Sequence, residues 1–223
     1  YFQLLSESLH SNNIATPSLV IDKSVMARNI KTLSGHLKDR FDYRIVAKSL
    51  PSIEMLKWSM SQAKTNKLMV FHQPFLSAVT QEIEQADVLM GKPMPIAAVK
   101  SFYKSHGASQ TGFNPQVQLQ WLLDSTERLK QYEHFASTHA TALNINIELD
   151  VGLHRGGVSS DNEFIAMLEM IEQSSHLTLS GFMGYEPHIG KVPGDAIKHR
   201  DEAMGMYKHY IDLAELYLKR SVQ

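Results

Sequence analysis

Three observations predict an α/β fold built on parallel strands. Short runs rich in apolar and β-branched residues alternate along the chain with longer amphipathic runs. Apolar residues make up 43% of the 223 positions and charged residues 20%, which is ordinary globular usage and leaves room for one large domain or two small ones. Polar residues gather where the strand runs end. Strand–helix alternation implies parallel strands joined by crossover helices, as in an open doubly wound sheet or a closed (β/α)8 barrel.

In chain order, the expected strands are Ser18–Asp22, Tyr43–Ala47, Lys67–Phe71, Asp87–Met90, Val117–Leu123, Asn144–Leu149 and Leu177–Met183. The run VQLQWLL at Val117–Leu123 also fits the continuation of a helix. Helices are expected over KSVMARNIKTLSGHL, PSIEMLKWSMSQA, QPFLSAVTQEIEQ, PIAAVKSFYKSH, STERLKQYEHFASTHA and DNEFIAMLEMIEQ, with a long last one from Asp195 to Arg220. Pro51 suits a first helical turn, and Ser125 and Asp161 suit N-caps. Tyr1-Phe2-Gln3 resembles the remnant of a cleavable tag, so residues 1–15 are set aside as tag and N-terminal extension. No Pro/Gly/Ser-rich linker divides residues 16–223, which are taken as one domain.

Composition excludes several classes. A formal net charge of −1 carries no electrostatic footprint for nucleic acid or an anionic membrane. No apolar run approaches the ~20 residues that span a bilayer. The absence of cysteine removes disulfides, thiolate metal sites and a cysteine nucleophile, and fits a cytoplasmic protein. The histidines show no H-E-x-x-H spacing, and neither G-x-G-x-x-G nor the P-loop motif is present.

In both parallel architectures chemistry sits at the carboxyl ends of the strands. Here those ends carry Lys48, His72, Lys92, Asp124, then Asp150, His154 and Arg155, then Tyr185 and His188. Such a row points to a lined pocket. A lysine at its mouth can attack a carbonyl substrate, anchor pyridoxal phosphate, bind a phosphate as a point charge, or simply snorkel to solvent. Partial burial at such a mouth favours the neutral, nucleophilic amine. In NINIELDVGLHRGGV the glycines permit tight turns and close approach to a ligand. Arg155 can donate hydrogen bonds to a phenolate or phosphate oxygen without losing its proton. Glu148 and Asp150, two apart, would share a strand face.

In the order TPSLVID, Asn29, VAKSLPS, IELDVGLHRGGV and LSGFMGYEPHI, the chain resembles the fold-type III pyridoxal-phosphate enzymes of the alanine-racemase N-terminal domain group, nearest its D-threonine aldolase and D-serine dehydratase branch. The resemblance runs from about Thr16 to His188. It implies a (β/α)8 (TIM) barrel, here cut short to six barrel strands with the first strand outside it, and without the C-terminal β domain that supplies a divalent metal in that branch. By the same resemblance Lys48 carries pyridoxal 5′-phosphate as a Schiff base and is the catalytic lysine. Arg155 contacts the cofactor's phenolic oxygen, His188 packs on its pyridine ring and Tyr185 lies in the same motif. Ser52 stands where alanine racemases have a tyrosine, and Glu148 where they have a modified lysine, which leans away from plain alanine racemization. The branch's histidine-rich signature around the lysine is not present.

The implied activity is that of a lyase or racemase acting on a small D-amino acid, in a cytoplasmic homodimer. A non-catalytic pyridoxal-phosphate carrier is the alternative. A cofactor-free Schiff-base aldolase ranks third, because it leaves Arg155 without a role.

Overall fold

The computed structural model describes residues 1–37, 40–49, 51–191 and 193–222, so Leu50 of the VAKSLPS motif lies outside the described residues. The chain forms two compact units, Tyr1–Phe41 and Asp42–Gln223.

The first unit holds helices α1 (Phe2–Ser11) and α2 (Lys23–Leu37). Ser18–Asp22 is not a strand. Leu19 and Val20 are exposed and make no ladder, and Asp22 Oδ1 instead accepts the N–H groups of Ser24 and Val25 at the start of α2. An apolar, β-branched run becomes a strand only if it finds a partner.

The second unit is a six-stranded parallel sheet: β1 (Ile45–Val46), β2 (Lys67–Val70), β3 (Asp87–Met90), β4 (Leu119–Leu123), β5 (Leu143–Leu149) and β6 (Leu177–Gly184). Its spatial order is that of the sequence, β1 to β6, with every neighbouring pair parallel. A doubly wound sheet reverses its strand order at a switch point. The uninterrupted order here is that of successive βα units of a (β/α)8 barrel.

The crossovers are α3 (Ile53–Ala63), α4 (Gln73–Glu82), α5 (Ile96–Gly107) with the single turn α6 (Pro115–Gln118), α7 (Thr126–Thr138) and α8 (Asp161–Gln173). The short α9 (His188–Lys191) and the long α10 (Ala196–Leu218) follow β6. Ser125 caps α7 as expected, accepting the Arg128 N–H. Two other starts differ from expectation. Ser52, not Pro51, is the N-cap of α3, and Asp161 is the first residue of α8 behind Ser160. Val117 belongs to the helical turn α6, and the strand begins at Leu119.

The core is a single cluster between sheet and helices. Trp121, Tyr132, Phe102 and Phe164 are its largest fully buried side chains, and Tyr132 donates its hydroxyl to the Met94 carbonyl. A polar belt also crosses the strands. Arg44 pairs with Asp87 at 2.9 Å, Gln120 donates to Asp87, and Asn146 donates to both Gln120 and Ser180. Each group in the belt has a partner, which is what keeps such a layer tolerable inside a fold.

Candidate functional site

The site is built from loops at the carboxyl ends of the strands. β1 is only two residues long, and the chain then tightens into a 3-10 turn over Ala47–Ser49 that presents Lys48. Ala47 is buried and anchors the turn. Lys48 is exposed, so the partial burial expected of a lysine at the mouth is not met. Two aromatic rings face its ammonium instead: Phe71 with its centroid at 4.8 Å and Tyr185 at 5.6 Å. Both lie within cation–π range. Phe71 owes its place to Gly91 on the neighbouring strand end, where a Cβ would stand 2.5 Å from its ring.

The loop after β5 is closed at its base. Val158 N–H donates to the Glu148 carbonyl, and Asp150 N–H donates to the Val158 carbonyl. Gly157 has φ +96°, and a Cβ there would stand 2.5 Å from the Asp150 nitrogen and the Leu149 carbonyl carbon. Only glycine fits that backbone. Inside the loop, Asp150 accepts the N–H groups of Gly152 and His154 and lies 2.7 Å from the His154 ring. Burial alone would raise the Asp150 carboxyl, but these hydrogen bonds outweigh it and hold it below the ordinary aspartate range.

Arg155, the predicted cofactor contact, donates to Glu148 Oε1 at 3.1 Å and lies 4.3 Å over the Tyr185 ring. Glu148 is buried, at 3% exposure. That burial pushes its carboxyl above the ordinary glutamate range, with the neighbouring Asp124 adding to the effect and Arg155 and Lys92 opposing it. The two carboxylates expected to share a face therefore serve different partners, Glu148 holding Arg155 and Asp150 holding the turn.

Lys48, Tyr185 and Arg155 thus converge, with the Tyr185 ring against both cations. His188 is buried in α9, its ring 6.1 Å from that of His199, and its Nδ1 has no partner among the described residues. His72 is spoken for as the N-cap of α4, its Nδ1 accepting the Phe75 N–H at 3.2 Å. A cleft of about 500 Å³ is lined by Asp150, His154, Asp161, Met206 and His209 among others, but not by Lys48, Arg155 or Tyr185.

Sequence reasoning passed over Phe71, and also the pair Glu186 and Tyr207. For Phe71 a signal exists: a bulky ring ending one strand next to a glycine ending the next. Among the described residues no group of three or more His, Asp or Glu side chains could hold a metal ion, and no helix is long and apolar enough to cross a membrane.

Comparison with known proteins follows the same lines. No curated protein sequence matches the chain. Among solved structures, the D-threonine aldolase from Filomicrobium marinum superposes with a TM-score of 0.75 at 14% identity, over 91% of this chain and 53% of that one. The D-threo-3-hydroxyaspartate dehydratase from Delftia sp. HT23 gives 0.70 at 16% identity, over 92% and 52%. An alanine racemase of Clostridium difficile 630 gives 0.65 at 15%, over 83% and 49%. The chain spans about half the length of these structures, and at such identities the likeness establishes the fold. Residues 21–203 match the family described as alanine racemase, N-terminal domain. With the consecutive parallel sheet and this match over most of its length, the chain belongs to the alanine racemase N-terminal domain family.

Proposed function

We propose that this chain is the pyridoxal-phosphate-binding part of a lyase or racemase acting on a small D-amino acid. The observation that carries the reading is the convergence of Lys48, Tyr185 and Arg155 at the carboxyl end of the sheet. The residues fit the cofactor. Lys48 is exposed and within reach of a carbonyl compound, Arg155 is a fixed donor for an anionic oxygen, and the buried Nδ1 of His188 lacks a partner among the described residues. Lys48 would hold the cofactor covalently through Nζ, Arg155 would face its phenolic oxygen, and Tyr185 and His188 would flank its ring. When bound, pyridoxal phosphate supplies an electron sink for charge developing at the α-carbon of an amino acid.

The chain's own residues supply binding and proton handling. Glu148 keeps Arg155 oriented by accepting one of its N–H groups. Lys48 Nζ, beside Tyr185 in the same site, would serve as a base there. His72 is tied into a helix cap and is not free for that role. Ser52, at the position where racemases of the group resemble one another in having a tyrosine, spends its side chain on capping α3. This favours aldol cleavage or dehydration over alanine racemization. D-Threonine, D-serine and D-threo-3-hydroxyaspartate are the substrates to test, in a cytoplasmic homodimer.

The test mixes the chain with pyridoxal phosphate, traps the adduct with borohydride and maps the label. We expect visible absorbance and a label on Lys48, both lost in Lys48→Ala. A saturated wild-type protein without either would overturn the reading. Turnover of the three D-amino acids, with and without a divalent metal, separates an enzyme from a carrier that binds the cofactor and turns over none of them.

A further inference from the structure

Tyr185 is 37% exposed and stands on the loop after β6, yet its ring faces Lys48 and Arg155 together. Two cation–π contacts at an exposed site are weak and do little to fix an aromatic side chain on a loop. Its two chain neighbours show what else holds it. Gly184 is pressed against Tyr207 of α10, so that a Cβ at Gly184 would overlap the Tyr207 hydroxyl and stand 2.6 Å from the ring carbon bearing it. Glu186, on the other side, accepts a hydrogen bond from the same hydroxyl at 3.0 Å. One tyrosine therefore grips the residue before Tyr185 and the residue after it.

The grip is rigid at its far end. α10 is capped by Asp195, whose Oδ1 accepts the N–H groups of Ile197 and Lys198. Its Ala203, Tyr210 and Ala214 are buried, and the Tyr210 ring packs 4.9 Å from that of Phe164. Burial, reinforced by the Glu186 carboxylate, pushes the Tyr207 phenol up, so it remains a donor.

We propose that Tyr207 and Glu186 are positioning residues that hold Tyr185 between Lys48 and Arg155. Neither is assigned contact with the reacting groups. The role rests on the cofactor reading above, but the geometry it depends on is testable without cofactor.

The experiment compares wild type, Tyr207→Phe, Glu186→Ala and Glu186→Gln in the full chain. Cofactor-free protein is nitrated with tetranitromethane and the tyrosines are mapped by mass spectrometry. Nitration of Tyr185 should rise several-fold in Tyr207→Phe and Glu186→Ala. It should stay near wild type in Glu186→Gln, which keeps an acceptor. Buried Tyr132 and Tyr210 should stay protected throughout. In parallel, the affinity for pyridoxal phosphate should fall roughly tenfold in the first two variants, the size of a lost hydrogen bond to a charged group. Unchanged Tyr185 nitration in both variants overturns the pair's role, and so does a rise shared by Tyr132 and Tyr210, which would mean general loosening. If wild type takes up no cofactor, the functional reading fails, and the nitration pattern still decides the positioning role by itself.

Discussion

Glu148 and Asp150, two residues apart, are driven in opposite directions by their surroundings, and stability must respond to pH accordingly. The Glu148 carboxyl is raised by burial, so the folded protein retains a proton that the unfolded chain releases. Its contribution is favourable at low pH and is lost as pH rises from the ordinary value of 4.5 through the raised one. Asp150 is lowered, so its contribution is present above 3.8 and is lost as pH falls. Glu148→Gln removes the first effect and keeps an acceptor for Arg155. Its stability relative to wild type should therefore increase as pH rises above 4.5. Urea unfolding at several pH values checks this, and a pH-independent difference would count against it. At the same level of detail, Lys48 and Arg155 stand out in the sequence as candidates because each sits in a local motif, beside a strand end or within a glycine-rich turn, and the structure brings both against Tyr185. Phe71 and Tyr207 do not stand out. Each acts on a residue distant in the chain, and the meeting exists only once strand register and the docking of α10 are fixed.

Strands and helices carry their own lesson. The apolar runs located six of the strands well, because a strand buried on both faces must be apolar along most of its length. The seventh, Ser18–Asp22, had the composition and lacked a partner. What composition could not reveal is the polar belt from Arg44 through Asp87, Gln120 and Asn146 to Ser180. Its members are scattered singly in apolar runs, and each alone reads as an imperfection. Asn146 is the hub, 4% exposed, donating at 2.8 Å to Gln120 and at 2.9 Å to Ser180. Asn146→Leu keeps the branched shape and strands the Gln120 side-chain carbonyl. We expect a loss of about 2 kcal/mol, read as a lower urea midpoint at unchanged slope.

Taken as a whole, a folded chain that binds a ligand is stabilised in proportion to the logarithm of one plus the ratio of free ligand to its dissociation constant. Pyridoxal phosphate at a hundredfold excess over its dissociation constant should add about 2.7 kcal/mol, or about 5–10 °C in Tm for a protein of this size. Calorimetry on wild type and Lys48→Ala checks this, the variant losing most of the shift. The order of the sheet has a further consequence, in time. Ile45 lies opposite Leu68, Lys67 opposite Asp87 and Leu143 opposite Leu177, so each strand pairs with the one made just before it. As the chain leaves the ribosome, every strand after β1 finds a partner already in existence. Among the described residues each strand pairs only with its neighbours in sequence. The nascent sheet presents a single advancing edge, and each crossover helix arrives ahead of the strand that extends it.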